Sequence, residues 1–270
     1  MITQANREWI ADLCATRAGL KVDPDKAYLI ENRLAPVARR DGFGSLAEFV
    51  ESLRQRGEER LVWAAVEAMA VSDTTFFREP GLIERLVGEV LPRLAAARPG
   101  APIRIWSAAC GAGQEVYSLA MALSEHPALA ARTELFASDL SERSLEKAQA
   151  GLYSQLEVQR GLPARLLVRH FEKPGEMFAL SAPIRQMVRW RRVNLVEDMS
   201  QLGVFDLVLC RGLIPALTEA GRARVLGSLT AALAPGGWLA LGAGEDPPGW
   251  LEPEGSGLFT ARASAVRSAA

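Results

Sequence analysis

The spacing of apolar residues divides the chain into two parts. Up to about residue 70, apolar positions recur at helical spacing in four successive segments. These predicted helices are 5–18, a segment from Asp23-Pro24, a segment from Ser45, and about 58–70. Ser45-x-x-Glu48 also fits a capping box, which marks the start of the third helix. The sequence therefore predicts an all-helical N-terminal domain, to which we assign residues 1–75.

From residue 101 onward, short apolar runs alternate with helical patterns. The predicted strands are IRIW (103–106), ELFAS (134–138), VRWRRVN (188–194), FDLVLC (205–210) and GWLALGA (237–243). Helical patterns lie at 114–125, 141–150, 162–171 and 219–234. This alternation indicates an α/β domain with a parallel, doubly wound sheet and right-handed crossovers, over residues 76–265. Residues 171–193 interrupt the alternation around Pro174-Gly175, and we expect a small antiparallel β insertion there.

The first strand leads into a run of small residues, Ser107 to Gly113, and then into a helical pattern. A strand, a small-residue loop and a helix N-terminus together form a nucleotide-binding turn. Two glycines alone are a weak signal, and a tight strand-to-helix turn without a ligand would look the same.

An acidic residue, Asp139, ends the next predicted strand, where a carboxylate can accept hydrogen bonds from both ribose hydroxyls. It could also cap the helix that begins near Ser141. The loop lacks the full G-x-G-x-x-G pattern, because Glu115 and Val116 fill the later positions. That favours a nucleoside cofactor without a diphosphate, which points to S-adenosylmethionine (SAM).

The composition of the chain limits the kinds of molecule that it is expected to bind. The chain has 270 residues, 49% of them apolar, which is enough for two domains, and its net charge of −1 favours neither nucleic acid nor an acidic membrane surface. The polar N-terminus and the lack of a long apolar run predict a cytoplasmic protein without membrane insertion. Three cysteines without metal-ligand spacing are expected to be buried free thiols, and no metal site is expected.

Six short motifs carry a resemblance to a known family. In chain order they are Thr74-Thr75-Phe76-Phe77-Arg78-Glu79, Trp106-Ser107-Ala108-Ala109, Gly113-x-Glu115-x-Tyr117-Ser118, Phe136-Ala137-Ser138-Asp139, Val193-Asn194-Leu195 and Phe205-Asp206-Leu207-Val208-Leu209-Cys210-Arg211. Through them the sequence resembles the CheR-type chemoreceptor glutamate methyltransferases along nearly its whole length. The resemblance implies a helical N-terminal domain, a Rossmann-like SAM-binding domain and an inserted β-subdomain. It also implies a monomer that methylates glutamates on the cytoplasmic helical domain of a chemoreceptor, leaving S-adenosylhomocysteine (SAH).

The resemblance also assigns roles to single residues. Carried over by position, the cofactor-binding set is Ser72, Thr74, Arg78, Glu115, Asp139, Asn194, Leu195, Arg211 and Gly212. Within it, Thr74 and Arg78 would bind the methionine end of SAM, and Asn194 and Leu195 would meet the adenine. Arg78 is also the candidate catalytic residue, orienting the substrate carboxylate. The alternative for Arg78 is a surface ion pair with Glu79.

The sequence departs from the family pattern near the expected reacting centre. The usual Arg-Asn-Val-x-Ile-Tyr-Phe segment is Arg211-Gly212-Leu213-Ile214-Pro215-Ala216-Leu217 here, so Gly212 replaces an asparagine and Ala216 a tyrosine. Two alternatives therefore stay open beside the active receptor methyltransferase. One is a SAM-binding regulatory module without activity, and the other is a SAM methyltransferase for a different substrate. A tyrosine supplied from elsewhere, Tyr117 or Tyr153, would favour activity.

Overall fold

The computed structural model describes residues 2–70 and 73–261, which form two compact units. One unit contains the N-terminal residues up to 70 together with Asn194–Glu197 and Ile214–Val225, and the other contains the remaining described residues. The two later segments were not part of the N-terminal domain that the sequence predicted.

The helical unit contains the four predicted helices, α1 (Gln4–Ala18), α2 (Ala27–Arg40), α3 (Leu46–Arg56) and α4 (Glu59–Met69). The Ser45 hydroxyl accepts from the backbone N–H of Glu48 at 3.1 Å, as expected of a helix cap. The Glu48 carboxylate accepts from the N–H of Gly44 rather than from that of Ser45, so the predicted capping box is only half formed. Fully buried apolar side chains, among them Ile10, Ile30 and Phe49, form the core of the unit.

Several basic side chains of the helical unit have partners within it. Arg17 pairs with Glu59 and lies over the Trp63 ring, with the guanidinium carbon 5.3 Å from the ring centroid. Arg33 donates to the carbonyl of Met69 at 3.1 Å. These contacts place both arginines in interactions within the helical unit.

The second unit begins with a continuous helical segment in which a π-helical turn, Leu86–Val90, joins α5 (Pro80–Arg85) to α6 (Leu91–Ala97). Its further helices are α7 (Gln114–Ser124), α8 (Pro127–Ala130), α9 (Glu142–Ala150), α10 (Gln155–Gln159), α11 (Ala164–His170) and α12 (Ala182–Gln186). A short 3-10 turn of this unit lies at Ser200–Leu202. The 3-10 turn Ile214–Ala216 belongs to the helical unit, as does helix α13 (Glu219–Ala231) up to Val225.

Seven strands form the main sheet, β1 (Ile103–Ala108), β2 (Thr133–Asp139), β6 (Val188–Arg192), β7 (Phe205–Cys210), β8 (Leu233–Leu241), β9 (Leu251–Gly255) and β10 (Leu258–Ala261). Their order is β6-β2-β1-β7-β8-β10-β9. The first five strands in this order are parallel to one another, and β10 pairs antiparallel with both β8 and β9. The chain order reverses between β1 and β7, and ligands of such sheets bind at the carboxyl ends of the strands at this switch point.

A second, three-stranded antiparallel sheet has the order β3-β5-β4, with β3 (Leu152–Tyr153), β4 (Phe171–Glu172) and β5 (Phe178–Leu180). The small antiparallel insertion is therefore present, but its bounds differ from the predicted 171–193. It begins earlier, at Leu152, and the assignment of Arg185–Arg192 to it is wrong. Val188–Arg192 pairs in parallel with β2 as the edge strand of the main sheet, where alternate side chains of an arginine-rich strand can face solvent.

No helix in the described part of the chain is long and apolar enough to cross a membrane.

Candidate functional site

The turn after β1 is fixed by its backbone. Gly111 and Gly113 have φ angles of 54° and 83°, in the left-handed region that favours glycine. A Cβ on Gly113 would lie 2.9 Å from the Trp190 ring and 3.0 Å from the Ala148 Cβ, so any larger residue would displace neighbours. The need for glycine at position 113 thus comes from packing inside the protein. We call Ala109–Gly113 the cofactor turn.

Asp139 holds the cofactor turn from the end of β2. Its Oδ2 accepts from the N–H of Gly111 at 2.7 Å, and its Oδ1 accepts from the N–H of Ser141 at 2.9 Å. Ser141, not Asp139, is the N-cap of α9, since its hydroxyl accepts from the N–H of Ser144. Burial raises the pKa of the Asp139 carboxyl, and the N–H groups of Ser141 and Gly111 oppose that shift. The N–H of Leu140 opposes the shift as well, and a carboxylate with about four lone-pair sites can still accept a hydrogen bond from a ligand.

Residues 73–79, which we call the strap, lie beside the start of α7. The Thr74 hydroxyl donates to the Gln114 side chain, and the N–H of Phe77 donates to the Ser118 hydroxyl at 2.8 Å. Phe77 and Glu79 have positive φ angles of 46° and 56°, which are costly for residues with a side chain. Such strain is typical of segments that shape a functional site.

Arg211 directly follows β7 and is nearly inaccessible, with 2% of its side chain exposed. It pairs with Glu115 of α7 at 2.5 Å and with Glu79 of the strap at 2.7 Å. Burial raises the pKa of the Glu115 carboxyl, and the Arg211 charge opposes that shift. The Nε atom of Arg211 has no hydrogen-bond partner among the described residues, so one buried donor is available to a ligand.

Arg78 is bound more loosely. Its Nη2 donates to Asp73 Oδ2 at 2.9 Å, and Arg160 pairs with the other oxygen of the same carboxylate at 3.1 Å. The partner of Arg78 is thus Asp73 and not Glu79, as the alternative expected. About a third of the Arg78 side chain and more than half of that of Asp73 are exposed, so this pair can be exchanged at low cost.

Gly212 is fixed by a buried carboxylate. Its N–H donates to Glu245 Oε1 at 3.1 Å, and the N–H of Gly242 donates to the other oxygen of Glu245. The φ angle of Gly212 is 81°, and a Cβ there would lie 3.2 Å from Arg78 Nη1. An asparagine is the larger residue that best tolerates this backbone region.

One cleft of this unit is lined by residues of the strap, the cofactor turn, α7 and the end of β7, namely Asp73, Thr74, Thr75, Arg78, Ala109, Cys110, Glu115 and Arg211. The cleft residues lie within a segment that matches a known protein family. Residues 72–252 match the family described as CheR methyltransferase, SAM binding domain, and residues 5–69 match the CheR methyltransferase all-alpha domain. The chain belongs to the CheR methyltransferase family.

Two curated CheR relatives cover most of the chain. A "Chemotaxis protein methyltransferase 1" of Pseudomonas aeruginosa is 38% identical over 84% of this chain and 85% of its own length. A protein of the same name from Vibrio cholerae is 33% identical over 92% of both chains. The predicted family and the SAM-binding α/β fold with a helical N-terminal domain are therefore confirmed.

The residues of this CheR domain fit SAM. Asp139 offers lone pairs at a strand end, which suits ribose hydroxyls, and the orphaned Arg211 Nε suits a ligand carboxylate. Four of the predicted residues, Thr74, Arg78, Glu115 and Arg211, line one cleft. Asp139 is connected to this cleft by its hydrogen bond to the cofactor turn, and Gly212 lies next to Arg78.

For three predicted residues a role at the cleft stays a prediction. Ser72 lies outside the described residues. Asn194 and Leu195 belong to the helical unit, where the Asn194 amide donates to the carbonyl of Arg17 at 2.8 Å and to Glu197 at 3.0 Å. Their assignment to the adenine stays a prediction.

Neither candidate tyrosine offers a free hydroxyl. The hydroxyl of Tyr117 donates to the carbonyl of Ala148 at 2.8 Å, and that of Tyr153 donates to the carbonyl of Ala112 at 2.7 Å. Both rings are fully buried. The third tyrosine, Tyr28, is an exposed residue of the helical unit. Tyr117 and Tyr153 therefore do not replace the hydroxyl missing at Ala216.

Sequence reasoning missed Asp73 and Gln114 as partners of the predicted residues, and it considered Glu79 as a partner of Arg78 rather than of Arg211. Asp73 directly precedes the motif Thr74–Glu79 and Glu79 ends it, so the charges of these two residues were the available signal. Gln114 could have been found from its place as the first residue of α7, beside the cofactor turn.

Proposed function

We propose that this CheR-family chain transfers the methyl group of SAM to glutamate side chains of a chemotaxis receptor in the cytoplasm, giving γ-carboxyl methyl esters and SAH. The observation that carries the proposal is the cleft at the switch point of the sheet, whose lining residues belong to the matched SAM-binding domain. The names of the relatives, chemotaxis protein methyltransferase, support the chemotaxis context.

For this methyl transfer the protein mainly has to position the two reactants. SAM supplies an electrophilic methyl group on a sulfonium. A glutamate oxygen forms the new bond to the methyl carbon while the carbon–sulfur bond breaks and its electron pair stays on sulfur. The glutamate is already ionised at neutral pH, so no general base has to remove a proton. The rate then depends on holding the carboxylate oxygen in line with the methyl group.

In this proposal Asp139 accepts hydrogen bonds from the ribose, while Thr74 and Arg211 hold the methionine end. Arg78 orients the incoming glutamate, for which it releases Asp73. The exposed Arg78–Asp73 pair supports this exchange, because a substrate carboxylate replaces one carboxylate partner with another.

A second candidate is a SAM-binding regulatory module without transferase activity. It is favoured by one observation, that no candidate residue for the site offers a free tyrosine hydroxyl. Position 216 is an alanine, and the hydroxyls of Tyr117 and Tyr153 donate to backbone carbonyls.

A radiolabelled methyl-transfer assay separates the two candidates. The full chain is incubated with methyl-labelled SAM and membranes from the same organism, and the membrane protein is then treated with base. Methyl transfer to glutamate releases volatile methanol under base, whereas methyl groups on nitrogen or carbon are retained. The Asp139→Ala variant, at the same concentration, serves as the control. SAH binding without any label on membrane protein would favour the regulatory module, and base-stable label would contradict glutamate as the acceptor.

A further inference from the structure

Tyr153 is a buried residue to which no role in the site has been assigned. It lies in β3 of the three-stranded sheet, outside the main sheet and outside the six motifs. Its side chain is nevertheless in contact with both segments that flank the cleft.

The hydroxyl of Tyr153 contacts the cofactor turn. It donates to the carbonyl of Ala112 at 2.7 Å, between Gly111 and Gly113. These glycines hold left-handed φ angles, and a turn of small residues has few side-chain contacts of its own to fix it. The hydrogen bond from Tyr153 therefore restrains the turn at a second point, one residue after the Gly111 N–H that Asp139 holds.

The ring of Tyr153 contacts the strap. It packs edge to face on Phe76, with the ring centroids 4.9 Å apart, and Phe171 of β4 completes the cluster at 5.8 Å from Phe76. Phe76 is fully buried, so this packing anchors a strap that is otherwise partly exposed. The fit is close, because a Cβ on Gly161 would lie 2.1 Å from the carbonyl oxygen of Phe76.

We infer that Tyr153 is a positioning residue for the cofactor, which fixes the strap and the cofactor turn in one arrangement. In this arrangement the three-stranded sheet supports the cofactor cleft through β3 and β4. The inference rests on the proposed function, since it takes the cleft to be the SAM site. It assigns Tyr153 no contact with the cofactor, and the residue acts through Ala112 and Phe76.

The test compares two tyrosines with matched chemistry. Tyr153→Phe and Tyr117→Phe each remove one buried hydroxyl that donates to a backbone carbonyl at 2.7–2.8 Å. Only the first carbonyl belongs to the cofactor turn, since Ala148 lies in α9. SAH affinity is measured by calorimetry on the full chain, and the melting temperature is measured for each variant.

Both variants are expected to melt a few degrees below wild type by a similar amount, because each loses one buried hydrogen bond of the same kind. SAH binding to Tyr153→Phe should weaken about fivefold, while binding to Tyr117→Phe stays within about twofold of wild type. A purely structural role for Tyr153 would lower both affinities equally.

A third variant, Phe76→Leu, tests the contact with the strap. It should also weaken SAH binding severalfold, since it loses the edge-to-face packing on Tyr153 while Tyr153 keeps its hydroxyl. Wild-type affinity in Tyr153→Phe, or equal losses in both tyrosine variants, would overturn the inference and leave the proposed function intact. Absence of SAH binding by wild type would instead count against the proposed function.

Discussion

Asp139 and Arg78 carry the two main charges assigned to the site, and the structure holds them very differently. Asp139 is buried and bonded through both oxygens to backbone N–H groups of the cofactor turn and of α9. Arg78 is partly exposed and held by Asp73, which is itself more than half exposed. The cofactor side of the site is thus prearranged, whereas the side assigned to the acceptor glutamate is adjustable.

This difference parallels the departures from the family pattern. The motifs with Asp139 and Glu115 are retained, while the asparagine and tyrosine expected after Arg211 are Gly212 and Ala216. Changes on the prearranged side would disturb buried hydrogen bonds and ion pairs, which is costly. Gly212 is exposed, and its contact with Glu245 is made by its backbone N–H. A change of side chain at this position therefore disturbs fewer buried interactions. SAM binding is therefore the firmer conclusion.

The largest effect is expected for Arg211→Met. The change leaves the Glu115 carboxylate buried without its partner, so the free energy of unfolding should fall by about 3–5 kcal/mol in chemical denaturation. Arg165→Met is the matched control, because Arg165 is 72% exposed and pairs with Glu125 at 3.4 Å, which predicts a loss of at most about 1 kcal/mol. Equal losses in the two variants would mean that the buried pair does not stabilise the cofactor side.

The second-largest effect is expected for Asp139→Ala, on the affinity for the cofactor product SAH. Removing hydrogen bonds from two ribose hydroxyls to a carboxylate should weaken SAH binding at least about tenfold in calorimetry. Asp206→Asn is the control, since Asp206 is also buried and accepts from a backbone N–H, that of Arg104, at 2.8 Å. It should lower stability and leave SAH affinity near that of wild type. Unchanged SAH affinity in Asp139→Ala would remove this residue from the site.

The smallest effect is the pH dependence of SAH binding. Burial raises the pKa of Asp139 above its ordinary value of 3.8, so the proton is taken up at a higher pH than in an exposed aspartate. In the proposed function the charged form of Asp139 binds the ribose, so SAH affinity should be constant near neutral pH and fall as the pH is lowered, by less than about tenfold per pH unit. Because an asparagine does not take up a proton, the SAH affinity of Asp139→Asn should lack the part of this decrease that protonation of Asp139 causes. A profile identical in wild type and variant would show that Asp139 does not titrate in the complex.

Much of the fold could be predicted, because it depends on periodicity. Helices α1 to α4 and the five parallel strands follow apolar spacing and turn residues. The prediction missed β9 and β10, whose runs, interrupted by Pro253 and Gly255, lack a clear alternation. It listed Val188–Arg192 as a strand but also included it in the insertion, because three arginines in five residues are typical of a surface hairpin. Only the pairing of this strand with β2 places it in the main sheet.

The candidate site was predicted in part. Asp139 and Arg211 could be placed at the ends of strands from the sequence alone. The contacts of Asp73, Glu245 and Tyr153 could not, because they join residues far apart in the chain, 87 positions in the case of Asp73 and Arg160. Such pairings depend on how the strap and the three-stranded sheet pack, and local pattern carries no information about that.

The family pattern suggests how the residues expected after Arg211 can be restored. Ala216→Tyr supplies the hydroxyl of the family motif, and Gly212→Asn restores the asparagine. At Gly212 the new Cβ would approach Arg78 Nη1 at 3.2 Å, which the flexible end of that side chain can accommodate. Pro215→Ile completes the triple variant, because proline fixes the backbone within the 3-10 turn that contains position 216.

The most direct test of the account is the rate of methyl transfer by this triple variant at saturating SAM, relative to wild type. If the cofactor side is intact and the acceptor side lacks one hydrogen bond in the transition state, the rate should rise about 5- to 150-fold. SAH affinity should stay within about twofold of wild type, since the cofactor side is unchanged. If wild type shows no transfer and the triple variant binds SAH yet still transfers no methyl group, the account of an active methyltransferase is contradicted.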